Sequence, residues 1–541
     1  MPAAPPTIPP PPPPPVVDAA SHFAGLDWFV LLGYLALLVV TGLVFTRKQR
    51  STDDYFLAGR RMPSWAVATS ILATALSAAT FIGGPQFAYE QDLTYIGANV
   101  ASLLAIVFVA FVIVPACYKR NLTTVYELLD RRFGPTTRRA AGVMYMLGRT
   151  LAIGARGYIG ALPASLIIWG DLDPAHVATA VVVLTSVGVL YTIVGGIGTV
   201  IWTDFIQMCV FLVAAFVAVY LLLDRIPAST GEIASGLAAD AKLTLVDFSF
   251  DLTKPYTFVS VLLALTLFSL GSYGTDQDMV QRMLTCKSAI AGARSAILGA
   301  AVAVPVTLLF LIIGLLLYVF FQRPDLMGGA SPHYETDDSR KVFLSFILRE
   351  MPAGLSGLMI AGLFAAGLSS VNSTLNAMSA TVIADFYKPL RPGKSERHYL
   401  AASRIAVVCW GVAIAGVGVL SIFWQKSESS TLLDFALGVM AYAYAGLVAV
   451  FLSATLTKRG NTVSALAAFA VGIVAVTVMQ PAVWTALAGS TGRASGTGST
   501  GGEPLPLAWP WRFFVATALA FATCQLGSNT RARSASEELT P

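Results

Sequence analysis

Thirteen stretches of this 541-residue chain are long and apolar enough to lie in a bilayer, and each ends at a charged or Gly/Pro-rich break. A spanning helix needs about 20 mostly apolar residues, because only a helix or a closed barrel satisfies its own backbone donors and acceptors where no water is present. The stretches run near 27–47, 64–90, 94–118, 136–167, 174–196, 199–223, 250–278, 288–321, 354–386, 399–424, 430–455, 460–480 and 509–528. Composition agrees: 56% hydrophobic residues, 12% charged residues and a mean hydropathy of +0.70 exceed what a water-soluble chain carries. The expected fold class is an all-α, polytopic membrane protein with about 13 transmembrane helices.

Basic residues set the expected orientation. With the N-terminus outside, the inner connections hold Arg47, Lys48, Arg50, Arg60 and Arg61, then Lys119, Arg120, Arg131, Arg132, Arg138 and Arg139, then clusters at 282–294, 388–397, 458–459 and 531–533. The outer connections are mostly sparse in Lys and Arg, as the positive-inside rule requires. The net charge of +5 thus reports topology and gives no reason to expect a nucleic-acid partner. The C-terminus is expected in the cytoplasm, and the location is a cell membrane, the inner one in a Gram-negative bacterium.

The five cysteines, Cys117, Cys209, Cys286, Cys409 and Cys524, stand singly in or beside the apolar stretches, without the spacing of a metal or disulfide framework. The opening "MPAAPPTIPPPPPPPVV" has no basic segment leading into a short apolar core, so it reads as a stiff external tail over 1–26 and not as a cleaved signal peptide. The Gly/Ser/Thr-rich loop at 489–504 reads as flexible. A membrane enzyme would need acid, base or metal ligands in a constellation, yet His22, His176, His333 and His398 all fall in tails, loops or span ends.

Polar groups inside a bilayer cost free energy unless they meet partners, so the informative places are those that break the apolar pattern. The strongest is "GLFAAGLSSVNSTLNAMSATVIADFYK" at 362–388, with Ser369, Ser370, Asn372, Ser373, Thr374, Asn376 and Ser379 in its middle. On a helix Ser369 and Ser373 share a face and Ser370 lies about 100° round, so several hydroxyl oxygens can address one neighbour. A hard cation stripped of water needs about five or six oxygens. The bland alternative is that each serine bonds back to its own helix or lets helices approach closely.

Three further interruptions complete the set. In "LATALSAATFIGGP", 72–85, Ser77, Thr80 and Gly83-Gly84-Pro85 either unwind the backbone to expose carbonyls or mark a kink or close packing. Asp204 is either a functional carboxylate or an interfacial cap. Arg149 lies well inside an apolar run with Arg156 two turns on, on the same face. Each is either paired with a carboxylate elsewhere or faces a cavity, where the guanidinium fork suits a carboxylate substrate.

"DDYFLAGRRMPSWAVATSILATALSAATFIG", "YTIVGGIGTVIWTDFIQ", "GTDQDMVQRMLTCKSAIAGAR" and "SSVNSTLNAMSATVIADFYK", in this order, resemble the sodium/solute symporter family of sodium-coupled sugar, proline, sialic acid and monocarboxylate carriers. The likeness runs from about 27 to 460. It implies a leucine-transporter-like core: an extra helix at 27–47, a five-helix repeat at 64–223, its inverted partner at 250–455, two more helices within 460–528 and a cytoplasmic tail at 529–541. It implies Na+ as the coupling ion, a small solute and the lipid bilayer as partners, and function as a monomer.

Carried over residue by residue, the family's common sodium site falls on the carbonyls of Ala73, Leu76 and Ala366 and the hydroxyls of Ser369 and Ser370. A second sodium site found in some members falls on Asp204 and Ser373, with Ser369 shared and Asn372 where a serine is usual. The polar anchors of the sugar branch are replaced here by Ala75, Ser272-Tyr273 and Leu437, with no lysine in 288–321, which argues against glucose or galactose. Arg149 resembles the arginine by which sialic acid carriers hold the substrate carboxylate, and Ser77, Thr80 and Asn99 fall near the same pocket. Phe268 and Tyr273 either close over it or simply pack.

The expected function is sodium-coupled import of a small organic solute by alternating access, with a carboxylate-bearing compound such as sialic acid favoured over a sugar or amino acid. The alternative of another class is a sensor that binds solute without moving it. Such a protein would usually append a signalling domain, whereas "GSNTRARSASEELTP" follows the last apolar stretch.

Overall fold

The structure, a computed structural model, describes residues 23–45, 51–329, 339–426, 431–480, 483 and 507–528. Most of the proline-rich segment, the 489–504 loop, the 529–541 tail and Arg47, Lys48 and Arg50 lie outside the described residues. Each of the thirteen apolar stretches contains helix, as follows. The helices are α1 (Gly25–Phe45), the bent pair α2 (Ser64–Ala75 and Ala79–Glu90), α3 (Ile96–Lys119), α4 (Pro135–Trp169), α5 (Pro174–Gly195), α6 (Ile197–Arg225) and α7 (Phe258–Thr275). After them come α8 (Ala289–Gln322), α9 (Leu355–Leu390), α10 (Glu396–Lys426), the bent pair α11 (Leu432–Gly438 and Ala441–Leu456), α12 (Thr462–Val478) and α13 (Trp509–Gln525).

Seven of these helices are long and apolar enough to cross a membrane, nine if each bent pair is one span; α1, α5 and α12 hold shorter apolar helices. Among the described residues there are no strands, only two isolated bridges. Large apolar side chains face outward on the peripheral helices, with Phe29, Phe216 and Val412 all exposed, while the polar residues of α9 lie inside. That inside-out arrangement suits hydrocarbon and not water.

α9 is the central element. Over Leu355–Thr381 only Leu355, Leu358 and Gly367 escape full burial, and the helix packs against α1, α2, α4, α5, α6 and α10. Two glycines show how neighbouring helices are joined and brought close. Gly196, between α5 and α6, takes φ 60° and ψ 174°, a conformation open essentially to glycine alone, which turns the chain between two helices without a loop. On α4 a methyl group at Gly148 would sit 2.3 Å from Ala443 Cβ, so only glycine lets α4 and α11 approach at the level of Arg149.

The three interruptions differ in kind. α2 bends by 63° where Leu76 becomes extended (φ −85°, ψ 130°). α7 ends in a widened turn, Gly271–Thr275, followed by extended Asp276 and a separate buried helix, Gln277–Leu284. α11 bends by 45° at 439–440, a break the apolar pattern of 430–455 did not signal. Of the two readings of Gly83-Gly84-Pro85, close packing holds and unwinding does not: these residues are helical, and Leu433 of α11 packs on Gly83, 3.3 Å from where a Cβ would stand.

Candidate functional site

The break in α2 exposes carbonyls by a local exchange of hydrogen bonds. In an unbroken helix the Ala73 and Leu76 carbonyls would accept from the amides of Ser77 and Thr80. Here the Ser77 amide donates to Thr80 Oγ1 at 3.4 Å, and the Thr80 amide donates to the Ser77 carbonyl at 2.9 Å. Both expected carbonyls therefore lose their helical donors. Ser77 Oγ accepts from the Ala79 amide at 3.2 Å, so this hydroxyl caps the second half of α2. Ser77 was expected near solute; its hydroxyl serves the backbone instead.

α9 supplies the other oxygens. Ser369 Oγ donates to Asp204 Oδ1 at 2.6 Å, and Ser370 Oγ donates to the Ala366 carbonyl at 3.3 Å. Spending their protons in this way leaves the hydroxyl lone pairs available to a cation. Ser70, one turn before Ala73 and Thr74, donates to Asp204 Oδ2 at 2.5 Å, so Asp204 links α2 to α9 beside the freed carbonyls. Ala73, Leu76, Ala366, Ser369 and Ser370 are all buried.

The residues expected around a second ion do not gather in the same way. Asp204 is fully buried and is no interfacial cap. Arg282, from the Gln277–Leu284 helix, places Nη2 3.3 Å from Asp204 Oδ2, bonds the Ser373 hydroxyl with the same nitrogen, and donates from Nε to Ser70 Oγ at 2.8 Å. Ser373 Oγ donates back to the Ser369 carbonyl at 2.5 Å. Asn372 is directed elsewhere: its Oδ1 accepts from Thr192 Oγ1 on α5 at 3.2 Å. One residue along a helix turns a side chain by about 100°, and that rotation carries Asn372 to a different interface.

Above this layer lies a cleft enclosing about 730 Å³, its open mouth included. Thr80, Asn99, Arg149, Phe268 and Tyr273 line it together, as the sequence suggested, and Ser77 does not. Asn99 Oδ1 accepts from Thr307 Oγ1 at 3.2 Å, which leaves its amide nitrogen as a donor. Phe268 packs edge-on against Trp509 and Phe513, at 5.0 and 5.3 Å between ring centroids, so it both lines the cleft and anchors its wall.

Arg149 departs from the expectation. Its Nη1 is 3.3 Å from Asp276 Oδ2 and its Nη2 pairs with Asp278, and all three side chains are at most 1% exposed. A guanidinium already clamped by two carboxylates has little charge left for a third. Arg156, two turns further along α4, also lines the cleft. Among the described residues no carboxylate pairs with it; its Nη2 rests 3.4 Å from the Met440 sulfur, and its Nε has no hydrogen-bond partner. Arg149 Nε is likewise unpartnered, so the two arginines differ in counter-charge and not in every hydrogen bond.

The sequence pattern of the sodium:solute symporter family matches residues 55–472. The chain belongs to this family. The sodium/sialic acid symporter NanT of Aliivibrio fischeri is 30% identical over 455 residues, covering 83% of this chain and 86% of that one. Among solved structures, the substrate-bound outward-open state of a Na+-coupled sialic acid symporter superposes with a TM-score of 0.76 at 25% identity, over 93% of this chain and 97% of that one. A nucleobase-cation-symport-1 family transporter in a closed conformation, at 17% identity and a TM-score of 0.53 over 91% and 99% of the two chains, shares the fold. This symporter is therefore a multi-pass, all-helical transporter of leucine-transporter type that couples a small solute to sodium, and not an enzyme.

Two residues of the symporter's interior, Asp276 and Asp278, escaped the sequence reading; they hold Arg149. Arg282, expected in the inner basic cluster at 282–294, is instead fully buried and holds Asp204. A signal for them was present: "GTDQDMVQR" puts two acids and an arginine within seven residues beside an apolar stretch, and unpaired Arg149 and Asp204 required partners of the opposite sign. The rest of the α9 cluster divides among neighbours. Thr374 donates to Asp278 Oδ2 at 3.3 Å, Asn376 Oδ1 accepts from Gln281 at 2.9 Å, and Ser379 donates to the Ser403 carbonyl of α10 at 2.8 Å.

Proposed function

We propose that this symporter imports a carboxylate-bearing, hydroxyl-rich solute, with sialic acid the leading candidate, and that Arg156 receives the carboxylate. The observation that carries the proposal is a half-buried guanidinium facing a cleft in which no described lining residue is acidic. Thr80, Ser102, Ser269, Ser272 and Tyr273 add hydroxyls, and Asn99 an amide, to the same lining. A planar fork with no carboxylate of its own attracts an anion with paired oxygens, and the surrounding hydroxyls suit a polyol. The names of the sialic acid relatives support the same choice.

Sodium binds between the break of α2 and the middle of α9, held by the carbonyls of Ala73, Leu76 and Ala366 and the hydroxyls of Ser369 and Ser370. By joining those elements it favours the arrangement that accepts solute, because coupling requires unequal affinity for the two conformations. Release of sodium to the cytoplasm loosens the pair, and solute leaves by the opened inner path. The breaks in α2 and α7, each opening one of the repeats 64–223 and 250–455, support the inverted-repeat division. The same reading places a monomer in a lipid bilayer with its N-terminus outside and its C-terminus in the cytoplasm, supported by the basic clusters.

Uptake of radiolabelled sialic acid into proteoliposomes tests this directly. An inward sodium gradient drives accumulation and choline does not; accumulation that ignores the cation refutes the coupling. Ser370→Ala raises the half-saturating sodium concentration, and an unchanged value removes that hydroxyl from the site.

A further inference from the structure

We propose that Arg282 is a tethered cation standing where a second sodium would bind, so that this symporter holds one sodium per molecule. The inference rests on the sodium site proposed above. Asp204 Oδ1 accepts from Ser369, and Oδ2 accepts from Ser70 and from Arg282. The Ser373 hydroxyl receives Arg282 Nη2 and gives its own proton to the Ser369 carbonyl. Arg282 is itself fixed on its other side, where Nη1 donates to the Asp278 carbonyl at 2.7 Å. Arg282, Asp204, Ser70 and Ser373 are all fully buried. An ion needing about five or six oxygens would find Asp204 Oδ2 and the Ser373 hydroxyl already bonded to Arg282, and a positive charge beside them.

Two further observations point the same way. Asn372, the remaining expected ligand, is engaged by Thr192 on another helix face. Among the described residues, no cluster of three or more His, Cys, Asp or Glu side chains supplies the oxygens that would be missing from such a site.

The consequence for transport is an electrically silent cycle when the solute is a monovalent anion. One sodium enters with one carboxylate, Arg156 and the buried layer keep their charges, and the membrane potential does no work on the loaded carrier.

Equilibrium binding of radioactive sodium to the purified full-length chain decides the matter without any solute. The expected result is saturation at one sodium per polypeptide with a Hill slope of one. Saturation at two overturns the proposal, and the absence of saturable binding overturns the sodium site on which it rests. Arg282→Gln removes the tethered charge, and where the variant folds the capacity doubles to two. A folded Arg282→Gln protein that still binds one sodium also overturns the proposal. If that variant does not fold, the parent stoichiometry alone gives the answer.

Discussion

Arg149 and Arg156 lie two turns apart on one face of α4, and both line the same cleft, yet their surroundings give them opposite tasks. Arg149 meets Asp276 and Asp278 at the floor, where α7 breaks and its continuation folds under the pocket. Arg156 meets a methionine sulfur near the bend of α11. The first is part of the lattice that holds the floor together; the second has no carboxylate partner among the described residues, and under the proposed function it receives the solute. Depth in an apolar helix is therefore no guide to which arginine is already paired. What decides is the presence of a carboxylate on a neighbouring element.

The largest expected effect tests the structural half of this contrast. Arg149→Gln leaves Asp276 and Asp278 buried without a counter-charge, a loss of about 3–5 kcal/mol. Thermal unfolding of the purified variant should show a large drop, partly restored by adding Asp278→Asn; a parent-like melting profile in Arg149→Gln would erase the distinction. Next comes Arg156→Gln, which keeps its melting temperature and weakens carboxylate binding by about 1.5–3 kcal/mol, the value of a hydrogen bond to a charged group. Ligand-induced thermal shifts with sialic acid and its amide read this out: the parent separates acid from amide and the variant does not.

Met440→Asp sharpens the comparison by giving Arg156 the kind of partner that Arg149 already has. Solute affinity should fall on the order of tenfold, about 1.4 kcal/mol, while sodium binding is unchanged. An affinity equal to the parent's would show that Arg156 is not the anchor. The smallest effect belongs to Ser77→Ala, which removes a helix cap at about 1 kcal/mol of stability. Its apparent KM for solute should match the parent's, and a large rise would return Ser77 to the substrate site.

Much of the fold was legible because a bilayer imposes a simple rule on sequence: apolar runs become helices, and the helices appear where those runs are. The break in α2 was legible as a region but not as a position. Gly83, Gly84 and Pro85 look like helix breakers, yet Leu76 is the extended residue, and Ser77 and Thr80 reorganise the bonds around it. The glycines answer to packing against α11 and α8, which no local pattern reveals. For the same reason Arg149 could be marked as needing an explanation, but whether its partner was solute or Asp278 depended on a contact spanning 129 positions of chain. Asn372 is a milder case, since its place in a serine-rich run suggested one neighbour and the helix turned it to another.

The polar side chains of α9 reach out around the axis to Asp204 on α6, Thr192 on α5, Gln281 beneath α7 and Ser403 on α10. A rod pinned on so many sides has no freedom to spin or slip within its sleeve, because turning it by one position would sever all four attachments together. Any rearrangement of the interior must then either carry those neighbours along as one block or exchange every attachment in a single concerted event.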